Sequence, residues 1–143
     1  LALVAASQDL PVAGIIADSP FTSMRAYLQH QYSRVPVHLF ALSTFFARRL
    51  FSADINAITP LKVIPNLEGV PVFYIHAEHD SEVPVEHTLN LAAASLNSTD
   101  RIWRSTGSTH CTTYVENPAT YLMHCLDFIA FVVPARLPVA SAG

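Results

Sequence analysis

Charged residues are scarce in this sequence. Its 143 residues include 8 Lys+Arg and 11 Asp+Glu, which together make up 13% of the chain and give a formal net charge of -3. Lys62 is the only lysine. A protein that binds nucleic acid needs a basic stripe to neutralise phosphates, and this sequence has none. We therefore expect no nucleic-acid partner.

Cysteine is also rare. The two cysteines, Cys111 and Cys125, are too few for a disulfide framework and lack the spacing of a metal site. His76, His79 and Asp80 could be considered as metal ligands, but zinc sites draw three or four ligands with matched spacing, and the chain offers few others. At the end of a strand, His76 is expected to point inward as part of the packing. We expect neither a metal nor another cofactor.

No hydrophobic run is long enough to span a membrane. The apolar stretch 37–47 is interrupted by Ser43 and Thr44, whereas a transmembrane helix needs roughly 20 apolar residues. The chain starts at Leu1 without the basic region or the cleavage site of a signal peptide. Residues 1–7 resemble the last turns of a helix, so we expect this chain to be the later part of a larger domain. Nothing in the sequence assigns a compartment.

The residues that are abundant indicate a folded α/β domain. Hydrophobic residues make up 51% of the sequence, which is enough to offset the conformational entropy lost on folding. Strands that alternate with helices predict a parallel sheet joined by right-handed crossovers. Short apolar runs predict strands at 12–17 and 69–76, and the segment RIWRS at 101–105 is a third, short strand candidate. Helical patterns predict helices within 22–50, from 84 to 96 and from 117 to 129.

Two polar side chains follow neighbouring predicted strands. Asp80 lies in the loop after the second strand, and His110 lies in the loop after the third. Because α/β proteins build their sites at the carboxyl ends of parallel strands, we expect these side chains to converge. A carboxylate that accepts a hydrogen bond from one imidazole nitrogen leaves the other nitrogen free to take a proton from a nucleophile. The pair would supply two of the three members of a hydrolytic triad.

Other interpretations of these residues remain open. Asp80 could cap the helix that begins near Pro84, and His110 could be a solvated loop histidine, because most loop residues of these types do no chemistry. Cys111 could be considered as a thiol nucleophile. However, neighbours on an extended loop point apart, and no strained turn presents the sulfur of Cys111. We therefore expect it to be an ordinary buried or loop cysteine.

Several segments resemble the α/β-hydrolase superfamily. Residues 67–87, LEGVPVFYIHAEHDSEVPVEH, are similar to the strand and the H-G-x-x-D-x-x-V-P loop that carry the acid of that family, with Ala77 at the usual glycine. The resemblance covers nearly the whole chain up to Val133 and implies that Asp80 is the acid and His110 the histidine of the triad. The other similar segments are DSPFTS at 18–23, GSTH at 107–110, and NPATY at 117–121 with Phe128.

The resemblance implies an architecture for the chain. Residues 1–133 would form the C-terminal half of an α/β-hydrolase fold, with a helical lid or cap and its connection inserted after the first strand at about 22–59. We expect residues 134–143 to be a disordered tail. Aromatic side chains in the cap predict mainly helix packing, together with part of an apolar wall over the substrate pocket. These side chains are Tyr27, Tyr32, Phe40, Phe45, Phe46 and Phe51.

The nucleophile of that family is missing from this sequence. It lies in a G-x-S-x-G elbow that precedes the acid, whereas Ser7, Ser19, Ser23 and Ser108 lack the flanking glycines. We expect the serine upstream of Leu1 and little or no hydrolysis by this chain alone. The expected function is that of the C-terminal part of a serine hydrolase acting on a small-molecule ester, amide or peptide. The alternatives are a non-catalytic ligand-binding module of the same fold and a short chain that works bound to a partner.

Overall fold

The computed structural model describes Leu3, residues 12–52 and residues 54–133. Apart from Leu3, the helix end predicted at 1–7 and the tail predicted at 134–143 lie outside these residues. None of the helices in this part of the chain is long and apolar enough to cross a membrane. The elements are β1 (Ile15–Asp18), α1 (Met24–Gln31), α2 (Val37–Phe51), α3 (Pro60–Val63), β2 (Val72–Ala77), α4 (Glu86–Ala94), β3 (Arg101–Ser105), α5 (Thr113–Glu116) and α6 (Pro118–Val132).

The strands form one parallel sheet in the order β1-β2-β3. Pairing of β1 with β2 begins at Ile15 and Val72, and pairing of β2 with β3 ends at Ala77 and Ser105. The third strand has the predicted bounds, and the first two begin three residues later than predicted. Because the strands are parallel, the loops that follow them leave the sheet at the same edge.

The central strand β2 is buried along its whole length. Successive side chains of a strand point to opposite faces of the sheet. Val72 and Tyr74 belong to the cluster that contains Leu91 of α4, whereas Phe73 packs with Phe128 of α6. Helices therefore cover both faces of the sheet, which explains the continuous apolar run of β2. The predicted α/β architecture with a parallel sheet is confirmed.

Helices α1 and α2 lie between β1 and β2 in the chain, within residues 22–59, here called the cap segment after the sequence prediction. Ser23 caps α1 by accepting a hydrogen bond from a backbone N–H of its first turn, and Pro36 directly precedes α2. The expectation that the aromatic residues mainly pack is wrong for α2, in which no residue is buried. Phe45 and Phe51 are 63% and 78% exposed. The other large apolar residues exposed on α2 are Val37, Leu39, Leu42, Phe46 and Leu50.

Two local predictions differ from the structure. The connection predicted before β2 contains α3, which begins at Pro60, and a 3-10 helix over Ile64–Asn66. Asn117 precedes α6 as expected, but its side chain makes no capping hydrogen bond. Its backbone carbonyl instead accepts from the N–H of Tyr121 at 2.9 Å. The backbone therefore starts α6 without the predicted side-chain cap.

Candidate active site

Asp80 organises the loop that follows β2, here called the acid loop (residues 78–85). Its side chain is fully buried. The Oδ1 atom accepts hydrogen bonds from the backbone N–H groups of Glu82 at 2.9 Å and Val83 at 2.8 Å. Asp80 therefore binds backbone N–H groups just before α4, much as the capping interpretation anticipates. Its second oxygen, Oδ2, is left to make a different contact.

That contact is with His110, which lies beyond the end of β3. The Nδ1 atom of His110 lies 2.8 Å from Oδ2 of Asp80. Because a carboxylate only accepts hydrogen bonds, Nδ1 carries the proton and donates it. The Nε2 atom is then the basic nitrogen of a ring whose side chain is 25% exposed. The structure thus brings together the two residues that the sequence singles out.

Buried hydroxyl groups hold the loop that carries His110. Gly107 opens this loop with a φ of +81°, a left-handed conformation that favours glycine. The hydroxyl of Ser108 donates to Ser105 at 2.9 Å and lies 3.3 Å from the hydroxyl of Thr113. Ser105, Ser108 and Thr113 are all buried. Buried hydrogen bonds among these three side chains therefore hold the backbone that precedes His110.

The surroundings of Asp80 keep its carboxyl group ionised. Burial acts to raise its pKa, but the backbone N–H of Val83, the hydrogen bond and charge of His110 and the backbone N–H of Glu82 act to lower it. Together, the hydrogen bonds and the charge of His110 outweigh the effect of burial, so the pKa of Asp80 lies below its ordinary value. At neutral pH the residue is therefore a carboxylate, as its role as acceptor for His110 requires.

This pKa shift predicts a pH dependence of stability. A carboxyl group with a lower pKa in the folded state contributes stability that is fully present above its unfolded pKa and is lost as the pH falls through its folded pKa. Asp80→Asn should therefore lose less free energy of unfolding than the parent chain between about pH 5 and pH 2. Urea unfolding followed by circular dichroism at stepped pH measures this difference.

Asp127→Asn is the matched control for that measurement. The side chain of Asp127 is 77% exposed and contacts Arg101 at 3.2 Å, and exposed ion pairs contribute little to stability. We expect this variant to follow the pH dependence of the parent chain. An equally steep loss of stability in Asp80→Asn would contradict the assignment of a folded-state role to the ionised carboxylate.

His76 also belongs to the site, although the sequence analysis expects it to point inward as part of the packing. It is fully buried, as expected for an inward-facing residue. Its Nε2–H donates to the carbonyl of Val83 at 2.7 Å, and the hydroxyl of Thr88 lies 2.6 Å from its Nδ1. His76 therefore ties β2 to the acid loop and to α4. Apart from its position four residues before Asp80, the sequence gives no sign of this role.

The described residues include no metal centre. No group of three or more His, Cys, Asp or Glu side chains in this part of the chain is arranged to hold a metal ion. Both ring nitrogens of His76 have protein partners, and His79 is exposed.

The geometry predicted for Cys111 is wrong. Cys111 has a φ of +53°, and this left-handed turn brings its Sγ to 3.4 Å from Nε2 of His110. Burial raises the pKa of the Cys111 thiol, and the Asp18 carboxylate raises it further. The raised pKa disfavours the free thiolate of Cys111. Among the described residues, no serine hydroxyl is hydrogen-bonded to His110.

Solved structures share this arrangement of strands and helices. The chain matches an esterase of Pyrococcus furiosus with a TM-score of 0.63 and 20% identity over 91% of this chain and 49% of the esterase. It matches the α/β hydrolase GrgF of a Penicillium species with a TM-score of 0.62 and 19% identity over 90% of this chain and 58% of GrgF. It also matches an acylaminoacyl peptidase of Pyrococcus horikoshii with a TM-score of 0.60 and 13% identity over 95% of this chain and 23% of the peptidase.

These structural matches establish an α/β-hydrolase-like fold. The described sheet and its helices correspond to part of that fold, because the chain spans about half the length of the esterase and of GrgF. No protein-family model matches the sequence, and no curated protein sequence matches it either. Because the sequence identities with these structures are 20% or less, the matches show a shared fold and do not show a shared reaction.

Proposed function

We propose that this chain supplies the acid and the base of a serine hydrolase that cleaves an ester, amide or peptide bond. Asp80 is the acid and His110 is the general base. The nucleophilic serine comes from a segment outside these 143 residues, since the sequence contains no G-x-S-x-G elbow. The observation that carries the proposal is the 2.8 Å hydrogen bond between Asp80 Oδ2 and His110 Nδ1.

The proposed reaction uses both nitrogens of His110. The Nε2 atom takes the proton of the serine hydroxyl as its oxygen attacks the carbonyl carbon, and an acyl-enzyme forms when Nε2 returns that proton to the leaving group. A water molecule then repeats the sequence and releases the acid product. Asp80 stays ionised throughout, holds Nδ1 as the donor and stabilises the imidazolium that exists between the two proton transfers.

The placement of each group supports this division of roles. The Asp80 carboxylate is buried and already accepts two backbone hydrogen bonds, so its orientation toward His110 is fixed. The side chain of His110 is partly exposed, and its Nε2 atom lies 3.4 Å from Sγ of Cys111. Hydrolases among the structural matches, an esterase and a peptidase, carry out reactions of this class.

Labelling with a fluorophosphonate probe tests the proposal. In the natural polypeptide that contains this chain, the activated serine oxygen should displace fluoride from phosphorus, with His110 accepting the serine proton. We expect one labelled serine, located by peptide mass spectrometry outside these 143 residues, and no labelling of the 143-residue chain alone.

His110→Ala in the same polypeptide provides the control, because it removes the base without changing the serine. Labelling should fall to background in this variant. A polypeptide that binds ligand but takes up no label would indicate the non-catalytic module instead. Label that persists in His110→Ala would contradict the role of His110, and capture of the probe by Cys111 would contradict the assignment of serine as the nucleophile.

A further inference from the structure

The last residues of α1 contact the acid loop. The Nε2–H of His30 donates to the backbone carbonyl of Ser81 at 2.9 Å. The side-chain amide of Gln31 donates to the backbone carbonyl of Glu82 at 3.0 Å. These contacts connect positions 51 residues apart in the sequence. The cap segment is therefore attached directly to the loop that carries Asp80.

The contacted carbonyls belong to the same peptide units that bind Asp80. The carbonyl of Ser81 and the N–H of Glu82 are the two ends of one planar peptide, and that N–H donates to Asp80 Oδ1. The carbonyl of Glu82 and the N–H of Val83 form the next unit, which donates to the same oxygen. Each peptide is thus held from one side by α1 and from the other by Asp80. Because the unit is planar, fixing the direction of its carbonyl also fixes the direction of its N–H.

The beginning of the cap segment is attached to the same region. The backbone N–H and the hydroxyl of Thr22 lie 3.2 Å and 2.8 Å from Nδ1 of His87, in the first turn of α4. Burial lowers the pKa of His87, which favours the neutral ring whose Nδ1 can accept these bonds. Helix α1 is therefore tied near both of its ends to residues 81–87. These contacts attach the cap segment to the acid loop and to the first turn of α4.

We propose that His30 and Gln31 are positioning residues for Asp80, which orient its carboxylate toward His110 through the peptide units 81–82 and 82–83. This proposal adds two positioning residues to the proposed function, and it rests on that function because it takes Asp80 to be the acid of the reaction. Hydrogen bonds in series polarise one another, so a donor at the carbonyl end strengthens the bond that the N–H end makes. A displacement of the cap segment would weaken both bonds to Asp80 Oδ1 and loosen the Asp80–His110 pair.

The double variant His30→Ala/Gln31→Ala tests this in the natural polypeptide that contains this chain. The pKa of the Asp80 carboxyl group is measured by 13C NMR titration, and the hydrogen-bonded Nδ1–H of His110 is observed by 1H NMR. Loss of the two donors should raise the pKa of Asp80 toward its ordinary value, because the carboxylate loses well-aligned N–H donors. The His110 Nδ1–H signal should broaden as the pair loosens.

Three further variants separate positioning from a general loss of folding. His30→Gln keeps a donor near the place of Nε2 and should retain the low pKa of Asp80. Arg25→Ala, on the same helix, removes a contact to Asn56 inside the cap segment and should change nothing at Asp80. Gln31→Glu replaces a donor by a carboxylate of equal size and should raise the pKa. Circular dichroism and thermal unfolding confirm that each variant is folded before it is titrated.

Kinetics on the natural polypeptide that contains this chain distinguish the two proposals. In the double variant we expect kcat to fall about tenfold and KM to change less than twofold, as for the loss of a pair of modest hydrogen bonds that act on the reacting groups. If the polypeptide has no hydrolytic activity, the proposed function fails while the NMR result still decides the positioning role. An active double variant in which kcat and the titration of Asp80 both match the parent would overturn the positioning role.

Discussion

Replacing His110 by alanine should lower kcat of the natural polypeptide that contains this chain by roughly four to six orders of magnitude. The Nε2 atom of His110 is the proposed acceptor of the serine proton, and its Nδ1 atom is hydrogen-bonded to the buried Asp80 carboxylate. Initial rates of hydrolysis of a short-chain 4-nitrophenyl ester measure the effect. Circular dichroism should show a folded chain, because the side chain of His110 is partly exposed and its loop is held by Ser108.

His79→Ala is the matched control for this experiment. His79 lies in the acid loop next to Asp80 but is exposed, so we expect its replacement to leave kcat within a factor of about three. Retention of more than a tenth of the parent activity in folded His110→Ala would contradict the assignment of the base. A comparable loss in His79→Ala would instead indicate that the acid loop responds to any substitution.

Much of the fold can be predicted from the spacing of apolar residues. The short segment RIWRS matches the bounds of β3, and the continuous apolar run of β2 predicts a buried strand, as the structure has it. The exposure of α2 could not be predicted this way. Phe45 and Phe51 are typical of a buried helix, but whether such a residue is covered depends on the neighbouring elements and not on its own sequence.

The Asp80–His110 pair could also be predicted, since both residues follow adjacent parallel strands and therefore emerge at the same edge of the sheet. The position of Cys111 could not, because a single residue with φ of +53° reverses the direction of its side chain. The donors from α1 to the acid loop likewise depend on tertiary contacts. His30 and Gln31 stand 51 residues before their acceptors, and neither carries a local sequence signal.

Replacing Asp80 by asparagine should lower kcat by about 10⁴-fold with little change in folding. The Oδ1 atom of asparagine can still accept from the N–H groups of Glu82 and Val83, so the acid loop keeps its two internal hydrogen bonds. The other position then holds an NH₂ group that donates to Nδ1 of His110 instead of accepting from it. The proton of the neutral ring moves to Nε2, which can no longer take the proton of the nucleophile. Steady-state kinetics and circular dichroism of the same preparation measure the two effects.

Glu82→Gln separates this tautomer effect from a simple loss of negative charge. The Oε2 atom of Glu82 lies 4.0 Å from Nε2 of His110, but its side chain is 55% exposed. An exposed charge at this distance is well screened, so we expect kcat to change less than about threefold. Both variants remove one negative charge near His110, and only Asp80→Asn changes the hydrogen bond at Nδ1. Equal losses in the two variants would show that the charge around the histidine matters and that the orientation of its ring does not.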